Sequence, residues 1–207
     1  MRFFNEFIEV RKTGQKLPHW EQPGATYFIT WRLDDSIPQE LMEKWTKERD
    51  EWLLAHPKPW EDGQEEEYHR IFSMEIMRLL DVGYGSCVLR EEKAREIVAD
   101  SMHHADGSRY DLHSWVAMPN HVHVLFSAAE GESLEKVVGR WKKFSARRIN
   151  SLIVSEGKLW QKNYFDTMIR DWDHMLRAAR YVRRNPRKLR EGEFTLYEAE
   201  WVKRMLG

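Results

Sequence analysis

The chain has 207 residues, long enough for one well-buried domain and short for two. Hydrophobic residues make up 42% and aromatics 13%, including 10 Trp, which supports a packed core and excludes a globally disordered chain. The net charge of −1 argues against a uniformly basic nucleic-acid binder, and the single Cys87 excludes an intrachain disulfide, a cysteine-based zinc site and a CxxC redox motif. No apolar run approaches the ~18 residues of a membrane span, and the charged start MRFFNEFIEVRK does not read as a signal peptide. These features predict a soluble, cytoplasmic protein with no membrane partner. The average charge hides a division: residues 34–70 hold 12 acidic and 5 basic side chains, residues 136–190 hold 16 basic and 4 acidic. A local field of that kind steers an anionic polymer, although charge on helices also serves simply to solvate a face.

In chain order, residues 1–24 read as extended and irregular, with Pro18 and the turn-like Gln22-Pro23-Gly24 ending the stretch. Residues 25–33 (ATYFITWRL) are β-branched and aromatic, a predicted first strand. Pro38 is placed to start a helix with Ser36 as its N-cap, and Leu41, Trp45, Trp52 and Leu53 follow at near-helical spacing. His56-Pro57-Lys58-Pro59 breaks that helix, and residues 61–67 read as an exposed acidic linker. Helical periodicity resumes over 67–81, Gly83 and Gly85 punctuate, and 91–104 is another short helix. Residues 114–118 and 122–126 are apolar runs around a Met118-Pro119-Asn120 turn, so that 111–118 and 121–127 make a predicted hairpin. Ser133 caps a long basic amphipathic helix, whose polar faces present Lys136, Arg140, Lys142, Lys143, Arg147 and Arg148. Residues 159–170 are β-like in part. Asp171 caps a last main helix, from 172 to about 185, that Pro186 stops. This order predicts an α+β fold: a mainly antiparallel sheet with helices against one face, similar to split β-α-β folds. We read residues 1–207 as a single domain, with 38–105 as a helical elaboration and 191–207 as a C-terminal tail.

His121 and His123 flank one apolar residue, Val122. In a strand their side chains point the same way, roughly 7 Å apart along the backbone, so they can share a metal ion. Two histidines so spaced are also common as packing residues. Neutral imidazole plus oxygen ligands suits Mn²⁺, or Mg²⁺ where water or phosphate fills the other positions, and such an ion can polarise a phosphodiester. Tyr181 has Asn185 four residues on, on the same helix face, with Arg177, Arg180, Arg183 and Arg184 around it. A tyrosine there could equally pack into a core; Tyr110 and Tyr164 lie among strand-like apolar residues and are better core candidates.

HVHVLF after a Pro-Asn turn, a long basic helix, then WQKNYFDTMIRD and ARYVRRNP, together with the opening LPHWEQPGATYFITWRL, resemble the REP-associated tyrosine transposases of the one-tyrosine HUH superfamily. The resemblance covers roughly residues 17–190. It implies a ferredoxin-like HUH endonuclease core, His121 and His123 as metal ligands with Asn185 as the third, Mg²⁺ or Mn²⁺ as cofactor, and Tyr181 as nucleophile. Other members of the superfamily commonly carry Gln where Asn185 stands. The implied reaction is attack of Tyr181 on a scissile phosphate of single-stranded DNA beside a REP-type hairpin, giving a 5′-phosphotyrosine and a free 3′-OH. Arg140, Lys142, Lys143, Arg147, Arg148, Arg177 and Arg184 are the candidate phosphate contacts. A monomer suffices if Tyr181 reaches the histidines of its own chain; a homodimer exchanging that helix is the alternative. Two other readings remain: a domesticated hairpin-binding regulator with little or no cleavage, and a hydrolase using water in place of Tyr181.

Overall fold

The computed structural model describes residues 1–13, 19–57 and 60–207; Pro18, Lys58 and Pro59, expected in a turn and a helix break, lie outside them. A short hairpin, β1 (Arg11–Thr13) and β2 (His19–Glu21), occupies part of the stretch expected to be irregular, and precedes β3 (Thr26–Arg32). Three helices follow, α1 (Gln39–Ala55), α2 (Gln64–Tyr68) and α3 (Met74–Asp81), the last two joined by a π turn. Next come α4 (Glu92–His103), β4 (Tyr110–Ala117), β5 (His121–Ala128), α5 (Leu134–Leu152), β6 (Phe165–Met168), α6 (Trp172–Arg184), β7 (Thr195–Glu198) and α7 (Glu200–Leu206). The five long-range strands form one antiparallel sheet in the order β6-β3-β5-β4-β7. Strand β5 lies between β3 and β4, and β3 lies between β5 and β6, so α4 and α5 are the crossovers of two interlocked split β-α-β units.

Alternation along the central strands sorts their side chains onto two faces. Tyr27, Ile29 and Trp31 of β3 and Val122, Val124 and Phe126 of β5 point to one face, where they pack with Val98, Met102, Val137, Val138 and Trp141 of α4 and α5. The Trp31 and Trp141 rings lie 5.7 Å apart, and the Trp141 indole donates to Tyr110 Oη at 2.8 Å. Tyr110 and Tyr164 are buried as expected. Phe28 and Leu125 point to the opposite face, against α6 and α7 through Met175, Ala179 and Val202. Phe165, across from Thr30, brings the α1–α3 block onto that same face through Ile37, Trp45, Ile76 and Leu80. Every residue of β5 is buried because both faces are covered.

Helices therefore lie on both faces, where the sequence predicted one. Each helix carries an apolar stripe, but a stripe does not say which side of a sheet will bury it. Three local expectations also change. Ser36 does not cap α1; it is buried, donating to Leu33 O at 2.7 Å and accepting from Arg32 at 3.0 Å, while Pro38 stands at the N-cap without a side-chain bond. The acidic stretch 61–67 is largely helix α2, whose Glu65 pairs with Arg170 at the start of the α6 region. Helix α4, placed in the elaboration by sequence, is a crossover of the core, and the tail supplies β7, paired to β4. Ser133 and Asp171 cap α5 and α6 as expected.

A β-bulge at His113 in β4 turns that residue toward Ser127 Oγ, 2.7 Å away, beneath the Trp201 ring of α7. Burial, and secondarily the N-terminal ammonium, pull its pKa from 6.5 down to about 4. Because the unfolded chain binds the proton more tightly, stability is lost as pH falls from 6.5 through 4, by at most about 3 kcal/mol from this group. Urea unfolding at fixed pH should show a shallower loss across that window for His113→Gln than for the wild type; equal slopes would sink the assignment.

Candidate active site

Strand register assembles the site. In the pairing of β3 with β5, Arg32 lies across from His121 and Thr30 across from His123, and Phe28 sits two residues further along the same face. His121 and His123 are 1% and 0% exposed, and their Nε2 atoms converge to 3.1 Å. Each ring is held by its other nitrogen. His121 Nδ1 lies 2.7 Å from Asn120 Oδ1, and His123 Nδ1 lies 2.7 Å from Thr30 Oγ1. The Asn120 amide can face only one way, because its Nδ2 donates to the carbonyls of Leu80 and Tyr84 at 3.2 and 3.3 Å. His121 therefore carries its proton on Nδ1 and presents a lone pair at Nε2. Burial drives the pKa of His121 down to about 3, and burial with the neighbouring His121 drives that of His123 well below 6.5. Both rings are neutral at pH 7, the form that can ligate a metal.

Helix α6 brings Tyr181 and Asn185 to the same place from above the sheet. Asn185 closes the helix, its N–H donating to Tyr181 O, and its Nδ2 lies 3.3 Å from His123 Nε2. Its Oδ1 is buried with no hydrogen-bond partner among the described residues. The Tyr181 ring meets the His123 ring edge-on at 5.2 Å and the Phe28 ring at 5.7 Å, while Phe28 stacks on His123 at 5.5 Å. Burial, reinforced by the Asp81 carboxylate at the end of α3, raises the Tyr181 pKa to about 12, and a hydrogen bond from Asn185 opposes the shift. The four residues singled out by sequence thus converge within one chain. Thr30, Phe28, Asn120 and Asp81 were missed as site residues: the first two are visible as the outward face of a strand whose register sequence does not reveal, Asn120 was read only as a turn residue, and nothing local marks Asp81.

The five basic candidates on α5 do not gather there. Helix α5 packs on the opposite face of the sheet from the histidines. Lys142 turns inward, donating to Gln161 O and Lys162 O at 2.5 and 2.8 Å, and burial with nearby Lys158 and Arg32 lowers its pKa to about 8. It serves as a clamp on residues 161–162. Arg140 pairs with Glu132 at 2.9 Å, and Arg148 lies 3.5 Å from Asp100 and over the Phe144 ring. Lys143 and Arg147 are exposed, and with Phe144, His104 and Ser101 they line a cleft of about 430 Å³ that Arg140 and Arg148 also border. Arg177 and Arg184 are exposed on α6, the helix that carries Tyr181.

The donor set fits a divalent ion. An Nε2–Nε2 separation of 3.1 Å is close to that of two adjacent ligands each about 2.1 Å from one ion. No three His, Cys, Asp or Glu side chains cluster for this purpose among the described residues; the amide beside the pair is that of Asn185, 3.3 Å from His123 Nε2, whose oxygen is the orphaned buried atom and could serve as a third donor. Turning that amide over exchanges its nitrogen and oxygen.

A split β-α-β sheet with a histidine pair facing a helix-borne tyrosine defines the class of fold and site. The model of the IS200-like transposase family matches residues 82–185, half of the chain, so the protein belongs to that family. Among solved structures, the chain is similar to a REP-associated tyrosine transposase bound to a REP hairpin, at 15% identity over 84% of this chain and 74% of that one, with a TM-score of 0.45. It is also similar to a Deinococcus radiodurans protein assigned as a transposase, at 14% identity over 86% of this chain and 94% of that one, with a TM-score of 0.33. No curated protein matches the chain significantly.

The fit to an ion has a direct check. Mn²⁺ at about 100 times its dissociation constant should stabilise the folded protein by about 2.7 kcal/mol. Thermal unfolding of His123→Ala should show no such shift; an equal shift would place the ion elsewhere.

Proposed function

We propose that the protein is a metal-dependent single-strand DNA endonuclease and strand transferase of the REP-associated branch, acting on hairpin DNA through a 5′-phosphotyrosine link. The observation that carries this reading is the convergence of His121, His123, Asn185 and Tyr181 at one point of the sheet. His121, His123 and the Asn185 amide would hold Mg²⁺ or Mn²⁺, which supplies positive charge to polarise the scissile phosphate. Tyr181 Oη forms the new bond to phosphorus, the P–O3′ bond breaks, and the proton lost by the phenol is balanced by the one gained at the departing 3′-oxygen. The chain stores the bond energy in the phosphotyrosine, so the 3′-OH can reverse the step or another end can be joined. Phe28 and His123 fix the phenol ring by edge contacts, which aims the nucleophile before substrate arrives.

Arg177 and Arg184 stand on the catalytic side, while Lys143, Arg147 and Phe144 of α5 stand on the far side. DNA touching both sets has to pass around an edge of the sheet, with phosphates on the cations and unpaired bases free to stack on Phe144. A hairpin-binding regulator with weak cleavage is the second reading, favoured by the burial of both histidines and by a phenol raised to about 12.

Incubation with Mn²⁺ and a labelled hairpin oligonucleotide should give a covalent adduct that survives denaturation. Tyr181→Phe should abolish the adduct and leave hairpin affinity within a few-fold; an adduct in that variant would remove Tyr181 as nucleophile, and tight binding without any adduct in the wild type would favour the regulator. A Lys143→Glu, Arg147→Glu double variant should weaken hairpin binding and lower the slope of log K against log salt by about 0.7–0.9 for each phosphate that the variant no longer neutralises. An unchanged slope would take α5 out of the interface.

A further inference from the structure

Asn120 makes more connections than a turn residue needs. It is buried; its Oδ1 accepts from His121 Nδ1, and its Nδ2 donates to the carbonyls of Leu80 and Tyr84, which belong to the end of α3 and the turn after it. Its backbone carbonyl accepts from Leu33 N at 2.8 Å, and the adjacent Pro119 carbonyl accepts from Leu89 N at 3.1 Å. The segment it grips is itself tightly seated. Gly85 has φ +84°, and a Cβ there would run into the Asp35 backbone, while Ser86 N donates to Asp35 Oδ2 at 2.7 Å. One amide therefore joins the closing turn of the acidic helical block to the first histidine of the pair.

We infer that Asn120 is a positioning residue that sets the orientation and tautomer of His121 for ion binding and ties that histidine to the helical block. The proposal rests on the reading of His121 and His123 as metal ligands. Only the oxygen of the amide can face His121, because the two carbonyls on its other side take only donors. The block thus holds the amide, and the amide holds the ring with its Nε2 lone pair toward His123. Removing the amide leaves a buried imidazole N–H without its acceptor and takes one donor from each of the Leu80 and Tyr84 carbonyls, of which Leu80 O keeps Gly83 N at 3.1 Å, so ring and block loosen together. The coupling is reciprocal: an ion bound at His121 must steady the turn after α3 by as much as that turn favours the ion.

Mn²⁺ affinity by calorimetry and amide hydrogen exchange, both on full-length protein with folding checked by circular dichroism, separate the two halves of the proposal. Asn120→Ala should bind Mn²⁺ about 10–100-fold more weakly than the wild type. Asn120→Asp keeps an acceptor for His121 and loses both donors, so its affinity should stay within about threefold while exchange over residues 80–87 quickens. In the wild type Mn²⁺ should slow exchange over 80–87, and in His121→Ala it should not. Wild-type affinity in Asn120→Ala overturns the positioning role. Exchange over 80–87 that neither Mn²⁺ nor Asn120→Asp alters overturns the tie to the block, a result that stands even if Asn120→Ala does not fold. Wild-type affinity in His121→Ala overturns the metal reading instead.

Discussion

The antiparallel pairing of β3 with β5 is the constraint on which the rest depends. It sets Thr30 against His123 and Arg32 against His121, and it sends Tyr27, Ile29 and Trp31 with Val122, Val124 and Phe126 to the other side. A slip of one residue would turn one strand over against the other, either burying the imidazoles of β5 against Trp141 or turning Trp31 of β3 toward α6. The two tryptophans, with centroids 5.7 Å apart, therefore fix more than a core. By holding the apolar side of β3 and β5 against α5, they hold the polar side toward Tyr181.

That dependence shows why some of the molecule was legible in the sequence. The hairpin of β4 and β5 and the caps of α5 and α6 are written in local chemistry: alternation, Ser133, Asp171 and Pro186. The histidine pair and Tyr181 with Asn185 were legible as motifs whose joint meaning came from resemblance. The face on which each helix would settle was not legible, because an amphipathic stripe on α5 or α6 fits either side of a sheet. Ser36 looked like a cap because it stands just ahead of Pro38, a residue suited to the first turn of a helix; burial beside Arg32 gave its hydroxyl a different partner. The acidic run 61–67 looked like a linker on charge alone, yet Tyr68 and Phe72 beyond it reach the Trp52 ring and draw the segment into a helical block.

Charge also reads differently once the faces are known. The acidic segment 34–70 and the basic segment 136–190 do not each take one face of the sheet. Instead the acidic helices α1 and α2 lie over the side of the sheet that carries the histidines, α5 lies over the other, and α6 returns basic residues to the first. The ion pair of Glu65 with Arg170 directly joins the acidic block to the cationic approach to α6. An anion approaching the histidine side of the sheet meets carboxylates as well as cations of the same chain, and salt screens both.

The two histidines are not equivalent. Asn120 Oδ1 can only accept, so His121 is fixed with its proton on Nδ1. The Thr30 hydroxyl can donate or accept, so His123 can present either a proton or a lone pair at Nε2. With a proton there, the pair closes on itself through an N–H···N bond across 3.1 Å. With a lone pair there, both nitrogens face one point and make a two-nitrogen ligand set. In the first arrangement the two Nε2 atoms are partners; in the second Asn185 Nδ2 can donate to His123 Nε2, and His121 Nε2 is left for an ion to fill, while burial keeps a second proton off both rings at neutral pH. A buried imidazole pair is tolerable in this fold because one partner is rigid and the other can turn its proton around.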